Sequence, residues 1–351
     1  MTRDSKNIPS PLKVLIFGAG AIGTYIGGSL LLSGQETVFL EQPAVAENLR
    51  RGGLRLEIEG QGHTIPTPIL AASLEEALLH APFDVAIFAL KSFDTPTVLD
   101  ALQPFKDELP PILCLQNGVE NEPLIVSILG EERVIPGTVT SAIGRTAAGN
   151  VVLERLRGLG IAGTHPLSER LVAAFNRAKL NAHLYHNSDG MKWSKMLTNL
   201  LANATSAILE LPPAEIFALP DLYRLEIRQM REALAVMSAA KIPVIDLPKT
   251  PVRLLAFAVL GLPERLSRPL LQRAVGGGRG GKMPSFHIDL HSGRGKTEAD
   301  YLNGAVIRFG EKLGVPTPVN RLLNETMLAL ASGELPLDTF ARQPEKLLSR
   351  L

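Results

Sequence analysis

The run Val14-Leu15-Ile16-Phe17 leads without a break into Gly18-Ala19-Gly20-Ala21-Ile22-Gly23, and a helical pattern follows over residues 24–32. Glycines at this spacing are a weak signal alone. Between an apolar strand and a helix at the head of a βαβ unit, they restrict the fold to a doubly wound sheet that binds a dinucleotide. Gly18 permits the tight turn, Gly20 lets a pyrophosphate approach the backbone, and Gly23 lets the helix pack on the strand. Ala19, Ala21 and Ile22 complete this cofactor-binding loop, where the N–H groups that open the helix meet the phosphates. A second strand over residues 37–40 ends at Glu41, whose carboxylate suits ribose hydroxyls and repels a 2′-phosphate. Gln42 and Pro43 follow, with no Arg beside the acid, so the residues favour NAD over NADP. Arg50 and Arg51, one helix further on, leave a phosphate partner available.

Residues 12–186 continue in the same texture, with apolar strands over 13–17, 37–40, 84–90 and 111–115 that do not alternate with polar residues. Strands buried on both faces of a mostly parallel sheet read this way. Residues 54–70 do alternate around Gly60-Gln61-Gly62, which predicts a peripheral antiparallel hairpin, and further strands are expected over 134–140 and 150–153. From about residue 191 the period becomes helical, with helices expected over 191–209, 222–241, 298–313 and 319–331. The fold class is therefore α/β plus all-α. A flexible tail (1–11) precedes an N-terminal Rossmann-type domain (12–186), and a helical C-terminal domain (187–351) follows, with the active site in the cleft between them. The glycine-rich run 276–281 should be shaped around something or mobile.

The predicted helix 191–209 carries Lys195, Asn199 and Asn203 at i, i+4, i+8, so all three project from nearly one face. A solvated stripe would explain this. So would a catalytic face on which Lys195 protonates a carbonyl under reduction while amides hold the substrate. Lys91 and Asn117 each follow a predicted strand, where a Rossmann sheet presents residues to its ligand. Ser285 precedes Lys296-Thr297-Glu298-Ala299-Asp300, in which Thr297 and Asp300 have capping-box spacing and Glu298 suits the helix dipole. His287 and His291 are four apart but lack the intervening Glu of zinc peptidases, so no metal is expected. Asp289 and His291 suit a polar network, and His183 and His186 suit structural roles.

Taken in order, GAGAIG, Lys91 after a strand, LQNGVE with Asn117, KMLTNLLAN and Ser285 before TEADYLNG make a chain that resembles the ketopantoate reductase family over about residues 13–330. The resemblance implies hydride transfer from NADPH to the ketone of a 2-keto acid, ketopantoate to pantoate, in pantothenate and coenzyme A biosynthesis. It implies Lys195 as general acid, and Asn117 and Lys91 beside cofactor and substrate. Asn199, Asn203, Ser285 and Glu298 become substrate-orienting groups, Glu298 through a substrate hydroxyl. The chain departs from the family pattern at Gln42, Asp94 and Pro213 and in an extended stretch over 249–282. The cofactor is thus NAD(P): NADP by resemblance, NAD by Glu41 and Gln42. Two alternatives stand beside this reading, an NADH-dependent reductase of another branched 2-keto acid and a dinucleotide-sensing protein without chemistry.

Lys plus Arg (36) nearly balances Asp plus Glu (35), which gives no electrostatic case for nucleic acid or an anionic membrane. No apolar h-region opens the chain, and a single cysteine, Cys114, suits a reducing compartment, so a cytoplasmic protein is expected. Its expected partners are a small 2-keto acid and, in a homodimer, a second copy of itself.

Overall fold

The computed structural model describes residues 10–279 and 282–351, so most of the expected tail and the last two glycines of the glycine-rich run, Gly280 and Gly281, lie outside the described residues. The chain divides into two compact units. The first takes in the chain up to Leu90, Thr97–Gln116 and Leu124–His186; the second takes in Lys91–Pro96, Asn117–Pro123 and Asn187–Leu351.

In chain order the strands of the first unit begin with β1 (Lys13–Phe17), β2 (Glu36–Leu40), β3 (Leu54–Ile58), β4 (Gln61–Ile65), β5 (Ile69–Ala71) and β6 (Val85–Phe88). They continue with β7 (Ile112–Cys114), β8 (Val134–Val139), β9 (Ala142–Ala147), β10 (Asn150–Arg155), β11 (Leu159–Ala162) and β12 (Ala182–Tyr185). The main sheet has the order β12-β11-β8-β7-β6-β1-β2-β5 and is parallel except where β11 meets β8. Val14, Ile16, Val85, Ile87 and Leu113 pack into one apolar cluster. Their chain neighbours Leu15, Phe17, Ala86, Phe88, Ile112 and Cys114 pack into another. Successive side chains on a strand point to opposite faces, so two covered faces account for the unbroken apolar runs. From β1 the chain moves outward through β2 to β5, then returns to β6 on the other side of β1. That reversal places a topological switch point at the carboxyl ends of β1 and β6, where open α/β sheets bind ligands.

The expected hairpin is corrected in two respects. Its turn is the two residues Glu59 and Gly60, at φ +52° and +77°, one position earlier than the glycine pattern suggests. The antiparallel pair ends at Ile65, and Pro66 and Pro68 separate it from β5, which joins the main sheet beside β2. Nor is the hairpin alone: β3 also pairs with β10 in a second sheet of order β4-β3-β10-β9.

The second unit is helical, and no helix among the described residues is long and apolar enough to cross a membrane. Residues 191–209 do not form the single helix expected. One helix spans Ser188–Leu200, a second spans Asn203–Leu209, and Ala202 between them takes a left-handed conformation at φ +54°. A helix interrupted inside a core needs partners for its backbone groups, and the helix Pro220–Ala239 supplies them. The Gln229 amide donates to the Leu200 carbonyl at 3.4 Å, and the Ala202 N–H donates to Glu226 Oε2 at 2.7 Å. The Thr205 hydroxyl donates to the other Glu226 oxygen, and both Glu226 and Gln229 are fully buried. Glu226→Ala should therefore cost about 2 kcal/mol in urea unfolding, because two buried donors lose their acceptor.

The stretch 249–282 contains two helices, Val252–Gly261 and Glu264–Arg279, so Gly276, Gly277 and Gly278 lie in helical backbone rather than in the loop expected. These helices are tied to Pro220–Ala239 through Arg231 Nε to the Val259 carbonyl (3.0 Å) and Tyr223 to Ser267 (2.5 Å).

Candidate active site

In the first unit, the helix Ala21–Leu32 begins directly after the glycine loop, with Gly20 as its N-cap and no side chain capping it. Gly18 sits at φ +90°, and a Cβ there would come 2.9 Å from the Leu90 side chain. At Gly23 a Cβ would fall 1.8 Å from the Gly18 carbonyl oxygen, so no other residue fits. At Gly20 nothing lies within 4 Å of the corresponding point, which leaves room for a group to approach the backbone. The cradle therefore fits a dinucleotide pyrophosphate. Glu41, after β2, accepts from the Ala19 N–H inside this loop and from the Gln42 N–H at 3.1 Å. Each carboxylate oxygen retains capacity for a further donor such as a ribose hydroxyl.

The other candidate residues all belong to the second unit. Glu298, 2% exposed, is the N-cap of the helix Ala299–Leu313. Its Oε2 accepts from Lys91 Nζ at 2.9 Å, while its Oε1 accepts from the Ser92 N–H at 3.1 Å. Lys91 Nζ also lies 2.8 Å from Asp289 Oδ1, and the Glu298 N–H donates to Asp289 Oδ2 at 3.3 Å. One ammonium thus joins two carboxylates that are 6% and 3% exposed. Burial disfavours the charge on Lys91, but Glu298 and Asp289 outweigh it and hold the ammonium above its ordinary pKa. Burial also opposes the Glu298 charge, and Lys91 with Ser92 outweighs it, so this carboxyl lies below the usual range. Asp289 goes the other way: burial pushes it up, and Lys91 only partly offsets that.

Ser92 extends the network. Its hydroxyl lies 2.9 Å from the Asn117 carbonyl and 3.1 Å from Glu298 Oε1, and its single proton serves one of them at a time. Asn121 Nδ2 donates to the same Asn117 carbonyl at 2.6 Å. The Asn117 side chain accepts from Asn199 Nδ2 at 2.9 Å, and Lys195 stands one turn before Asn199 on the same helix face. Around them Met191, Trp193, Met196, Leu197 and Leu200 are buried, whereas Lys195 and Asn199 are half-buried. The helix is thus not an amphipathic one with a solvated stripe. Asn203 begins the following helix, where it donates to Ser285 Oγ at 3.2 Å and accepts from the Phe286 N–H at 3.1 Å. Ser285 and Asp289 share the helix Ser285–Leu290, which connects this pair to the Lys91 cluster.

Two family models match the chain: ketopantoate reductase PanE/ApbA over residues 14–163 and the ketopantoate reductase PanE/ApbA C-terminal model over residues 187–331. The chain belongs to the ketopantoate reductase family. Among curated relatives it is 27% identical over 321 residues to a 2-dehydropantoate 2-reductase of Pyrococcus horikoshii, covering 89% of this chain and 95% of that protein. It is 25% identical to one from Streptococcus pyogenes, over 90% of this chain and 97% of the relative. A PanE/ApbA family ketopantoate reductase of Ralstonia eutropha has a structure that matches with a TM-score of 0.77 at 28% identity, covering 92% of this chain and 99% of that one. D-mandelate dehydrogenase with NADH and anilino(oxo)acetate shares the fold, with a TM-score of 0.74 at 24% identity and coverage of 92% and 99%.

Within this ketopantoate reductase family member, four features were missed or misassigned in the sequence. Asp289, expected in a polar network with His291, is instead paired with Lys91, almost two hundred residues earlier, while His291 lies beside Glu210; Ser92 is a small polar residue directly after Lys91, and that adjacency was its one signal. The expected capping box does not form. The Thr297 hydroxyl accepts from the Ala299 N–H at 3.2 Å, and Asp300 pairs with Arg308 at 3.1 Å instead of reaching back. Glu298, assigned on local grounds to the helix dipole, is bound by Lys91 and Ser92.

Proposed function

We propose that the chain is an NAD(P)H-dependent reductase of a 2-keto acid, with ketopantoate as substrate and pantoate as product. The observation that carries this reading is the 2.9 Å hydrogen bond from Asn199 to Asn117, one helical turn from Lys195. It joins Asn117 to Asn199, 82 residues further along the chain, on the helix that also carries Lys195. A dinucleotide sensor would need the glycine cradle and Glu41 but no such set.

When bound, the reduced nicotinamide supplies the hydride that adds to the ketone carbon. Lys195 holds a proton at Nζ and gives it to the carbonyl oxygen as negative charge develops there, which completes the alcohol. Asn117 and Asn199, coupled to each other, orient the substrate through their remaining amide groups. Asn203 and Ser285 form a second polar pair for the carboxylate or hydroxyl of the acid. Lys91 is fixed by two carboxylates and followed directly by Ser92, which reaches the Asn117 carbonyl, and Glu298 retains acceptor capacity for a substrate hydroxyl.

Glu41 favours a second reading in cofactor and substrate, an NADH-dependent reductase of another branched 2-keto acid. Both are tested by following cofactor oxidation with ketopantoate and a panel of 2-keto acids, with NADH and NADPH in parallel. Efficient turnover of ketopantoate supports the first reading. Turnover of another acid alone supports the second, and dinucleotide binding with no turnover of any acid overturns both. Glu41→Gln combined with Gln42→Arg keeps an acceptor for the Ala19 N–H, removes the repelling charge and adds a phosphate partner. The ratio of kcat/KM values should move toward NADPH by about tenfold or more. An unmoved ratio would mean that Glu41 does not face the ribose.

A further inference from the structure

Away from the residues assigned above, Glu210, His287 and His291 bring a carboxylate oxygen and two imidazole nitrogens within 4.8 Å of one another. Glu210 is the C-cap of the helix Asn203–Leu209, in a left-handed conformation at φ +50°, ψ +40°. Its neighbours Leu209 and Leu211 are buried, which anchors the backbone that carries it. His287 and His291 lie four residues apart along the helix Ser285–Leu290 and its C-cap, with ring centroids 4.2 Å apart. His291 Nε2 is 3.5 Å from Glu210 Oε1.

These spacings are open to an ion pair between His291 and Glu210 and also to a metal ion held by all three groups. A zinc ion with ligands at about 2.0–2.1 Å in a tetrahedron sets neighbouring ligand atoms about 3.3 Å apart. The His291–Glu210 edge, at 3.5 Å, is already close to that value, and the remaining edges, within 4.8 Å, would close by up to about 1.5 Å through side-chain rotation. One divalent ion would satisfy both imidazoles and neutralise the carboxylate. Among the described residues no Lys or Arg pairs with Glu210.

We propose that Glu210, His287 and His291 form a binding site for a divalent transition-metal ion of the zinc type, with water in the fourth position. The site fastens the end of the helix Asn203–Leu209 to the helix Ser285–Leu290. Asn203 and Ser285 already join the same two segments at 3.2 Å, so the metal rigidifies a substrate-orienting pair without touching substrate. The site does not depend on the reductase reading.

Titration of the full chain, stripped with chelator, with zinc chloride in a calorimeter tests this. One ion per chain should bind with a dissociation constant on the order of micromolar, and thermal melts should shift upward with zinc. His291→Ala and Glu210→Gln should each weaken binding at least tenfold. His291 is exposed, so its replacement leaves the core untouched. His183→Ala, an exposed histidine in the first unit, should bind as the parent chain does. Absence of saturable binding, or equal affinity in His291→Ala and the parent, would overturn the proposal.

Discussion

Lys195→Ala should lower turnover by about 10²–10⁴-fold while leaving dinucleotide affinity nearly unchanged. The magnitude is that of losing a positioned general acid, whose effect is confined to the step in which charge develops on oxygen. The glycine cradle proposed for the pyrophosphate belongs to the first unit, and Lys195 belongs to the second, so cofactor titration and turnover report on different residues. The helix should survive the change. Lys195 is half-buried among neighbours that carry the packing, and Ala is the better helix former. Asn199 keeps its bond to Asn117, so substrate orientation persists. The expected signature is a fall in kcat larger than any rise in KM, with an unchanged melting transition. Turnover within a factor of a few of the parent would remove Lys195 from the chemical step.

The parts of the molecule that were legible in the sequence are those whose causes are local. The glycine loop is one, since Gly18 and Gly23 answer to close backbone approach within a short stretch of chain. The doubly buried strands are another, because a strand covered on both faces needs apolar residues at every position and so shows no polar alternation. The hairpin was visible but misregistered: alternation locates the strands, while the turn depends on which two residues take positive φ. What could not be read is set by partners far along the chain. Periodicity continues straight through Leu201 and Ala202, and the helix breaks there because Glu226 and Gln229, more than twenty residues on, satisfy its backbone. The break changes how the face carrying Lys195, Asn199 and Asn203 is built, since Asn203 reaches Ser285 from a second helix. The partner of Asp289 was similarly hidden, since the sequence pairs it with His291 instead. Nothing near Asp289 in sequence indicates that it shares an ammonium with Glu298.

Glu298→Gln should separate the structural and substrate-binding roles of that carboxylate. The amide keeps the shape and an acceptor for the Ser92 N–H but loses the charge that faces Lys91. The expected loss of stability at neutral pH is about 2 kcal/mol, the scale of a hydrogen bond to a charged group. The larger cost of breaking a fully buried ion pair does not apply, since the Lys91 side chain is 37% exposed and retains Asp289. The pH dependence follows from the sign of the shift. Glu298 is held below its ordinary pKa of 4.5, so its contribution is present above that value and is lost as the pH falls below it. Asp289 is shifted upward, so its own contribution has the opposite sign and weakens as the pH rises through its raised pKa. Unfolding curves of the two proteins should therefore differ at pH 7 and converge under acid, with the convergence set by Glu298. For catalysis, kcat/KM with ketopantoate should fall by about ten- to a hundredfold. An analogue with hydrogen in place of the substrate hydroxyl should show little of that fall if Glu298 accepts from the hydroxyl. Equal losses for both substrates would assign Glu298 to positioning Lys91 alone, and the hydroxyl would then need another partner, for which the joined pair Asn203 and Ser285 offers polar groups.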